Sequence, residues 1–291
     1  MGPKKIITVA VHDGTFHADE CFALAVLKLL FKVRVIRTRD VTVLGSADMR
    51  VDVGFKYDPA TGDFDHHQPD APSRAYGPRY AAFGLVWREF GERICGEAAI
   101  AQKVESLIVE PNDAADNGDT QRADRGPEPF TVAYMIETLN PTWQECHGLE
   151  PAYFRKAVRL AGKILKRAIA VCTAEAKSVA LLYKAEAEAE DKRILVLDRK
   201  LPWQGTVCGN MHDVRYVVYD EGRYWSARSV PVIPRSLKPK FPFPQEWAGK
   251  HDQELAATSG VADALFCHAQ RHIVTAQSRD GVIQLTKLAL A

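Results

Sequence analysis

The feature that most restricts how this chain can fold is a short apolar run at residues 6–11, IITVAV, that passes directly into the polar loop HDGT. Helically spaced apolar residues follow within 19–31: Phe22, Leu24, Val26, Leu27, Leu29 and Leu30. The order is strand, loop, helix. Two further apolar runs, at 33–37 and 49–54, are separated by a polar segment long enough for one or two helical turns. Parallel strands need such crossovers rather than tight hairpins. The pattern therefore predicts an α/β fold with a parallel sheet.

Amphipathic patterns predict helices over 80–90 and 98–110, with a third over 130–139 after a Gly/Pro-rich turn. Residues 151–190 are rich in Ala, Leu, Lys and Glu with almost no Gly or Pro, which predicts one long helix or two joined ones. Strand-like runs then return at 194–197, 214–219, 225–229 and 264–268, and 282–290 reads as a closing helix. This change of character predicts two domains. Residues 1–190 form the α/β domain with its connecting helices, and 191–291 a smaller α+β domain.

The histidines His12, His17, His66 and His67 crowd into the first quarter of the chain. His12 and His17, with Asp19, suit a divalent transition metal, although a polar loop of helix-capping residues would look the same. Asp52 ends an apolar strand, where a lone carboxylate is costly unless paired, metal-bound or capping a turn. Asp65, His66 and His67 lie in DFDHHQ; adjacent histidines on a strand face opposite sides, so one can bind a metal while the other faces a substrate. Asp113 and Asp116 lie in NDAADNG, whose last three residues are also a turn signal. Mixed His/Asp ligation favours Mn²⁺, Zn²⁺ or Fe²⁺ over Ca²⁺ or Mg²⁺. A shared carboxylate could hold two ions about 3.5–4 Å apart.

These motifs, in this order and spacing, resemble the MYG exonuclease family (melanocyte proliferating gene proteins), a branch of the DHH phosphoesterase superfamily. LNPTW at 139–143, PW at 202–203, PFPQEW at 242–247 and the pieces of SG…LFCHA…SRDG across 259–281 extend the match over nearly the whole chain. The resemblance implies a catalytic domain and a smaller substrate-binding domain across a cleft, with two divalent metal ions, most often Mn²⁺. It assigns His12, His17, Asp19, Asp52, His66 and Asp116 as metal ligands, Asp52 as the bridge, with Asp113 the alternative to Asp116. His67 is implied to contact the scissile phosphate, with Asp65 orienting a histidine. His17 stands where many DHH relatives carry aspartate.

The family activity implied is 3'-5' RNA exonuclease or oligoribonuclease action, with His268 and Arg279 as substrate contacts. Val274 and Thr275 replace the family's Gly-Gly pair, which restricts backbone approach to a phosphate there. Lys and Arg number 38 against 37 Asp and Glu, a net charge of +1, so no overall field draws in a polyanion. That balance keeps two rivals open: a hydrolase of small phosphoesters such as dinucleotides or pyrophosphate, and a non-catalytic metal-containing nucleic-acid-binding protein. Arg155, Arg159, Lys163, Lys166 and Arg167 form a helical stripe, read as a solvated face or a strand-guiding rim. Near Arg235, Lys238 and Lys240, the aromatics Phe241, Phe243 and Trp247 read as core or as stacking platforms. Cysteines 21, 95, 146, 172, 208 and 267 form no CxxC pair. With MGPKK leading straight into a strand, a reduced cytoplasmic protein without membrane attachment is expected. A homo-oligomer is left open.

Overall fold

In the computed structural model, which describes residues 3–119, 131–145 and 148–291, the apolar run becomes β1 (Ile6–Val11). Then come α1 (Ala18–Leu30), β2 (Lys32–Arg37), α2 (Val41–Ser46), β3 (Met49–Val51), β4 (Tyr57–Asp58) and β5 (Asp63–Phe64). The sheet order is β2-β1-β3-β5-β4, parallel except for the two-residue edge strand β4, which runs antiparallel to β5. The expected α/β class is met. Val9, Ala10 and Val11 on the central strand β1 are fully buried, as a strand covered on both faces requires.

Next in sequence are α3 (Ala82–Cys95), α4 (Ala98–Val104), α5 (Glu110–Asp116), α6 (Val132–Glu137) and the long α7 (Glu150–Glu188). The Phe22 and Phe83 rings stack at 4.9 Å, joining α1 to α3. The helix expected over 98–110 instead continues to Asp116, with a π-helical segment, Glu105–Val109, between α4 and α5. The turn signal at Asp116-Asn117-Gly118 marks where that run stops. Phe130 and Cys146 lie outside the described residues, so the third expected helix is seen as α6 alone. The stretch expected over 151–190 is one helix rather than two, ending at Glu188.

The chain separates into two compact units, residues up to Thr173 and Ala174–Ala291. The second holds β6 (Ile194–Leu197), α8 (Gln204–Asn210), β7 (Tyr216–Asp220), β8 (Trp225–Ser229), α9 (Asp252–Ser259), β9 (Ala264–Cys267), β10 (Ile273–Ala276) and α10 (Arg279–Leu288). Its sheet order is β6-β7-β8-β10-β9, with only β6 and β7 parallel. The pattern reading missed β10. Val274 and Thr275 lie on it, paired to strands on both sides, and Val274 is fully buried. Two β-branched residues suit a central strand.

Phe243 and Trp247 are core residues, packed with Tyr216, Val274 and Leu285. The stacking alternative for these two aromatics is therefore set aside. Along α7, Arg155, Arg159, Lys163, Lys166 and Arg167 are exposed. Among the described residues no helix is long and apolar enough to cross a membrane.

Candidate metal centre

Adjacent parallel strands end at the same edge of a sheet, so the loops that follow them converge. Here that places His12 just beyond β1, Asp52 just beyond β3, and Asp65, His66 and His67 just beyond β5. His17 caps α1, Asp19 and Glu20 occupy its first turn, and Asp116 closes α5. Asp52 has a left-handed backbone, φ 57°, in the turn leaving β3. Aspartate tolerates that conformation better than most residues.

The Asp52 carboxylate lies between two imidazoles, one oxygen toward each: Oδ2 is 3.3 Å from His12 Nε2, and Oδ1 is 3.4 Å from His66 Nε2. His12 Nε2 is also 3.2 Å from Glu20 Oε1, and His66 Nε2 is 3.2 Å from Asp116 Oδ2. Three sets of side chains each bring their donor atoms within 4.8 Å of one another: His12, His17, Glu20 and Asp52; Asp52, His66 and His67; and Asp19, His66 and Asp116. Asp52 joins the first two sets and His66 the last two. Asp19 thus gathers with His66 and Asp116, apart from His12 and His17, its neighbours in sequence.

His12 Nε2, His66 Nε2 and Asp52 Oδ1 are buried without a hydrogen-bond partner. Buried polar atoms are rarely left so. An imidazole nitrogen beside each oxygen of one carboxylate fits a divalent cation on either side of it, whose ligands these groups would become. The electrostatics agree. Burial opposes protonation of His12, yet Asp52 and Glu20 push its pKa up to about 10; His66 rises to about 11 against burial, through Asp116 and Asp52. Burial raises Asp19 well above the usual carboxylate range, with Asp116 and Asp52 adding to it. So much clustered negative charge calls for positive charge at the same place.

A second layer fixes these groups. Both Asp19 oxygens accept first-turn amides of α3, Phe83 N–H at 2.7 Å and Ala82 N–H at 2.9 Å. Asp65 accepts the His66 N–H at 2.8 Å and lies 2.7 Å from His67 Nδ1. That turn ends β5, so the histidine pair is not on a strand as expected; its rings sit 4.4 Å apart and both approach Asp52. Asp65 and, to a lesser extent, Asp52 raise the His67 pKa. Asp113 points elsewhere. It pairs with Arg74 at 2.7 Å and accepts the Gly84 N–H at 3.1 Å, where any Cβ would sit 2.0 Å from its Oδ2.

Two residues here escaped the sequence reading. Glu20 adjoins Asp19 and carries no signal of its own in the sequence, yet it accepts the His17 N–H at 2.9 Å and faces His12. Asn140, in LNPTW, grips the first loop: its Oδ1 accepts the Phe16 N–H at 3.0 Å and its Nδ2 donates to the Phe16 carbonyl at 2.7 Å. Only the juxtaposition of LNPTW with that loop in space reveals the link.

Residues 8–290 match a family model named for MYG1 exonuclease and described as an uncharacterised protein family, UPF0160. The chain belongs to the MYG1 exonuclease family. It is 30% identical to a MYG1 protein of Schizosaccharomyces pombe, across 99% of this chain and 98% of that one. Human MYG1 exonuclease is 29% identical, across 100% of this chain and 87% of the relative. A MYG1 protein of Chlamydia pneumoniae is 28% identical, across 97% and 96%. Among solved structures, the pGpG-specific phosphodiesterase PggH of Vibrio matches at TM-score 0.33 and 12% identity over 98% of this chain and 99% of that one, a likeness too low to carry fold or function across.

In this MYG1 family member the second unit contributes nothing to the three metal-binding sets among the described residues. His268 follows β9 with its ring 4.2 Å from that of His272, and its Nδ1 accepts the Gln270 N–H at 3.0 Å. Arg279 is exposed at the start of α10.

Proposed function

We propose that this MYG1 family member is a two-metal phosphodiesterase that removes nucleotides from RNA or short oligonucleotides in the 3'-5' direction, with Mn²⁺ as the working ion. The observation that carries the reading is the Asp52 carboxylate set between His12 and His66, all three with buried, unpartnered atoms. His12, His17 and Asp52, with Glu20 beside them, would hold one ion; Asp52, His66, Asp19 and Asp116 would hold the other. When bound, such a pair supplies an activated water and neutralises charge developing on the phosphoryl oxygens. The mixed imidazole and carboxylate donors suit Mn²⁺, with Zn²⁺ and Fe²⁺ as alternatives.

The chain's own groups do the rest. Asp65 holds His67 by Nδ1, which leaves Nε2 for the substrate. In hydrolysis a water oxygen bonds to phosphorus, the bond to the leaving nucleoside oxygen breaks, and a proton must reach that oxygen. His67 is placed to donate it and is recharged from the attacking water. His268 and Arg279 serve as contacts for the nucleic acid. The free thiols of Cys21, Cys95, Cys208 and Cys267 suit a reducing compartment such as the cytoplasm.

The test is metal analysis of the purified protein together with a Mn²⁺-supplemented panel of RNA, DNA, dinucleotides and pyrophosphate. About two ions per chain and stepwise release of mononucleotides from RNA are expected. Protection by a 3' block but not a 5' block fixes the direction. Protein without transition metal that cleaves no phosphoester in Mn²⁺ overturns the proposal. Faster turnover of dinucleotides or pyrophosphate than of long RNA moves it to small phosphoesters, a reading that the balanced charge favours.

A further inference from the structure

Beside the metal centre lies a cavity of about 350 Å³, within the range of small-molecule sites. Its lining mixes two chemistries: His12, His17, Asp52, Asp65 and His67 are polar, and Val41, Leu44, Val53 and Phe55 are apolar. Leu44 and Val53 belong to a buried cluster with Ala10 and Ala47 and form a packed floor. Val41 and Phe55 stand out from it at 79% and 74% exposure.

Phe55 is conformationally costly where it stands. Its φ is 54°, in the left-handed region that glycine adopts freely and a bulky side chain does not. Folding draws little on the ring, since most of it is in solvent. What the fold uses at this position is the backbone N–H, donated to Asp65 Oδ2 at 2.6 Å, and glycine would supply that equally. Asp65 is also the partner of His67, so the two rings are set by one carboxylate, with centroids 6.2 Å apart.

We propose that Phe55 is the stacking platform for the nucleobase attached to the scissile phosphate, so that the cavity beside the metal centre is a base subsite. The inference rests on the phosphodiesterase reading above and supplies its substrate class: nucleotides, rather than base-free phosphoesters such as pyrophosphate. An aromatic face set beside a phosphate-binding centre matches the linked base and phosphate of a nucleotide, and stacking tolerates any base because each has a π-face. Arg39 also lines the cavity, its guanidinium paired with Asp13 at 2.5 Å.

The experiment is calorimetric binding of AMP and of ribose 5-phosphate to the Mn²⁺-loaded protein; neither is a phosphodiester, so neither is consumed. The wild type is expected to bind AMP roughly tenfold or more tightly than ribose 5-phosphate. Phe55→Gly should bind the two alike, while Phe55→Trp should keep the preference. Thermal melting separates a lost platform from a damaged fold: Phe55→Gly is expected to melt at or above the wild-type temperature, because glycine relieves the left-handed strain. A Phe55→Gly protein that still prefers AMP as the wild type does, or that melts clearly lower, overturns the proposal. Cleavage of dinucleotides by the wild type is measured in parallel. If neither dinucleotides nor RNA nor any other phosphoester of the Mn²⁺ panel is cleaved while the Phe55-dependent preference for AMP stands, the hydrolase reading fails and the base subsite survives.

Discussion

The two units each hold a five-stranded sheet, yet they treat charge in opposite ways. In the first unit Asp19, Glu20, Asp52, Asp63, Asp65 and Asp113 are all buried; among the described residues of the second, the buried polar groups are Ser178, Ser226, Ser229, His272, Thr275 and Thr286, with no carboxylate. The sheets explain the contrast. β1, β3 and β5 run parallel and release three loops at one edge, so acids and imidazoles gather there. β7, β8, β10 and β9 alternate in direction and distribute their loops over both ends. A lone buried carboxylate is costly; Arg50 and Arg74 offset Asp63 and Asp113, while Asp19, Glu20 and Asp52 belong to clusters with histidines that could hold a cation.

Four experiments break or sharpen that contrast. The largest effect is expected from Asp52→Asn, which keeps a side chain that accepts the left-handed turn but removes the charge shared by both sets. Metal content after gel filtration should fall nearly to zero and activity by on the order of 10³-fold; full metal occupancy would break the assignment. Next, His67→Ala should leave metal content intact and lower turnover by about 10²-fold. If metal is lost as well, His67 is a ligand rather than a proton donor. Asn140→Ala should weaken metal binding by about tenfold through the loosened first loop, with a stability loss of about 1–2 kcal/mol, read by metal titration and denaturant unfolding. The smallest effect belongs to the second unit: His268→Ala should raise the KM for RNA about fivefold and leave metal content untouched. Loss of metal in that variant would show that the contrast between the units is false.

Much of the first unit was legible because its signals are local. A strand, a polar loop and a helix in succession leave little freedom, and the structure keeps β1, α1, β2 and β3 close to where the pattern put them. The proposed ligands lie in the loops after β1, β3 and β5, in the first turn of α1 or at the end of α5. What escaped depended on distance. Glu20 reads as an ordinary helix-start acid until His12 is brought to it. Asn140 meets Phe16 across more than a hundred residues of chain, and nothing local marks that pairing. Asp113 and Asp116 share one turn signal, and only the buried Arg74, whose guanidinium also lies 3.9 Å over the Tyr80 ring, shows which of them is engaged elsewhere. β10 was missed because Val274 and Thr275 were weighed as departures from a motif, whereas in place they are strand formers between two neighbours.

The π-helical segment Glu105–Val109 has a consequence for insertions and deletions. A π turn takes one residue more than an α turn over nearly the same rotation, so it absorbs a residue without turning the segment that follows. Removing that one residue would let the run wind uniformly and leave α5 in place, with Asp116 still against His66 and Asp113 against Arg74. Inserting one more residue, with no second bulge to absorb it, would swing α5 by about 100° about its axis and carry Asp116 away from His66. The run therefore has slack for one loss and none for a further gain.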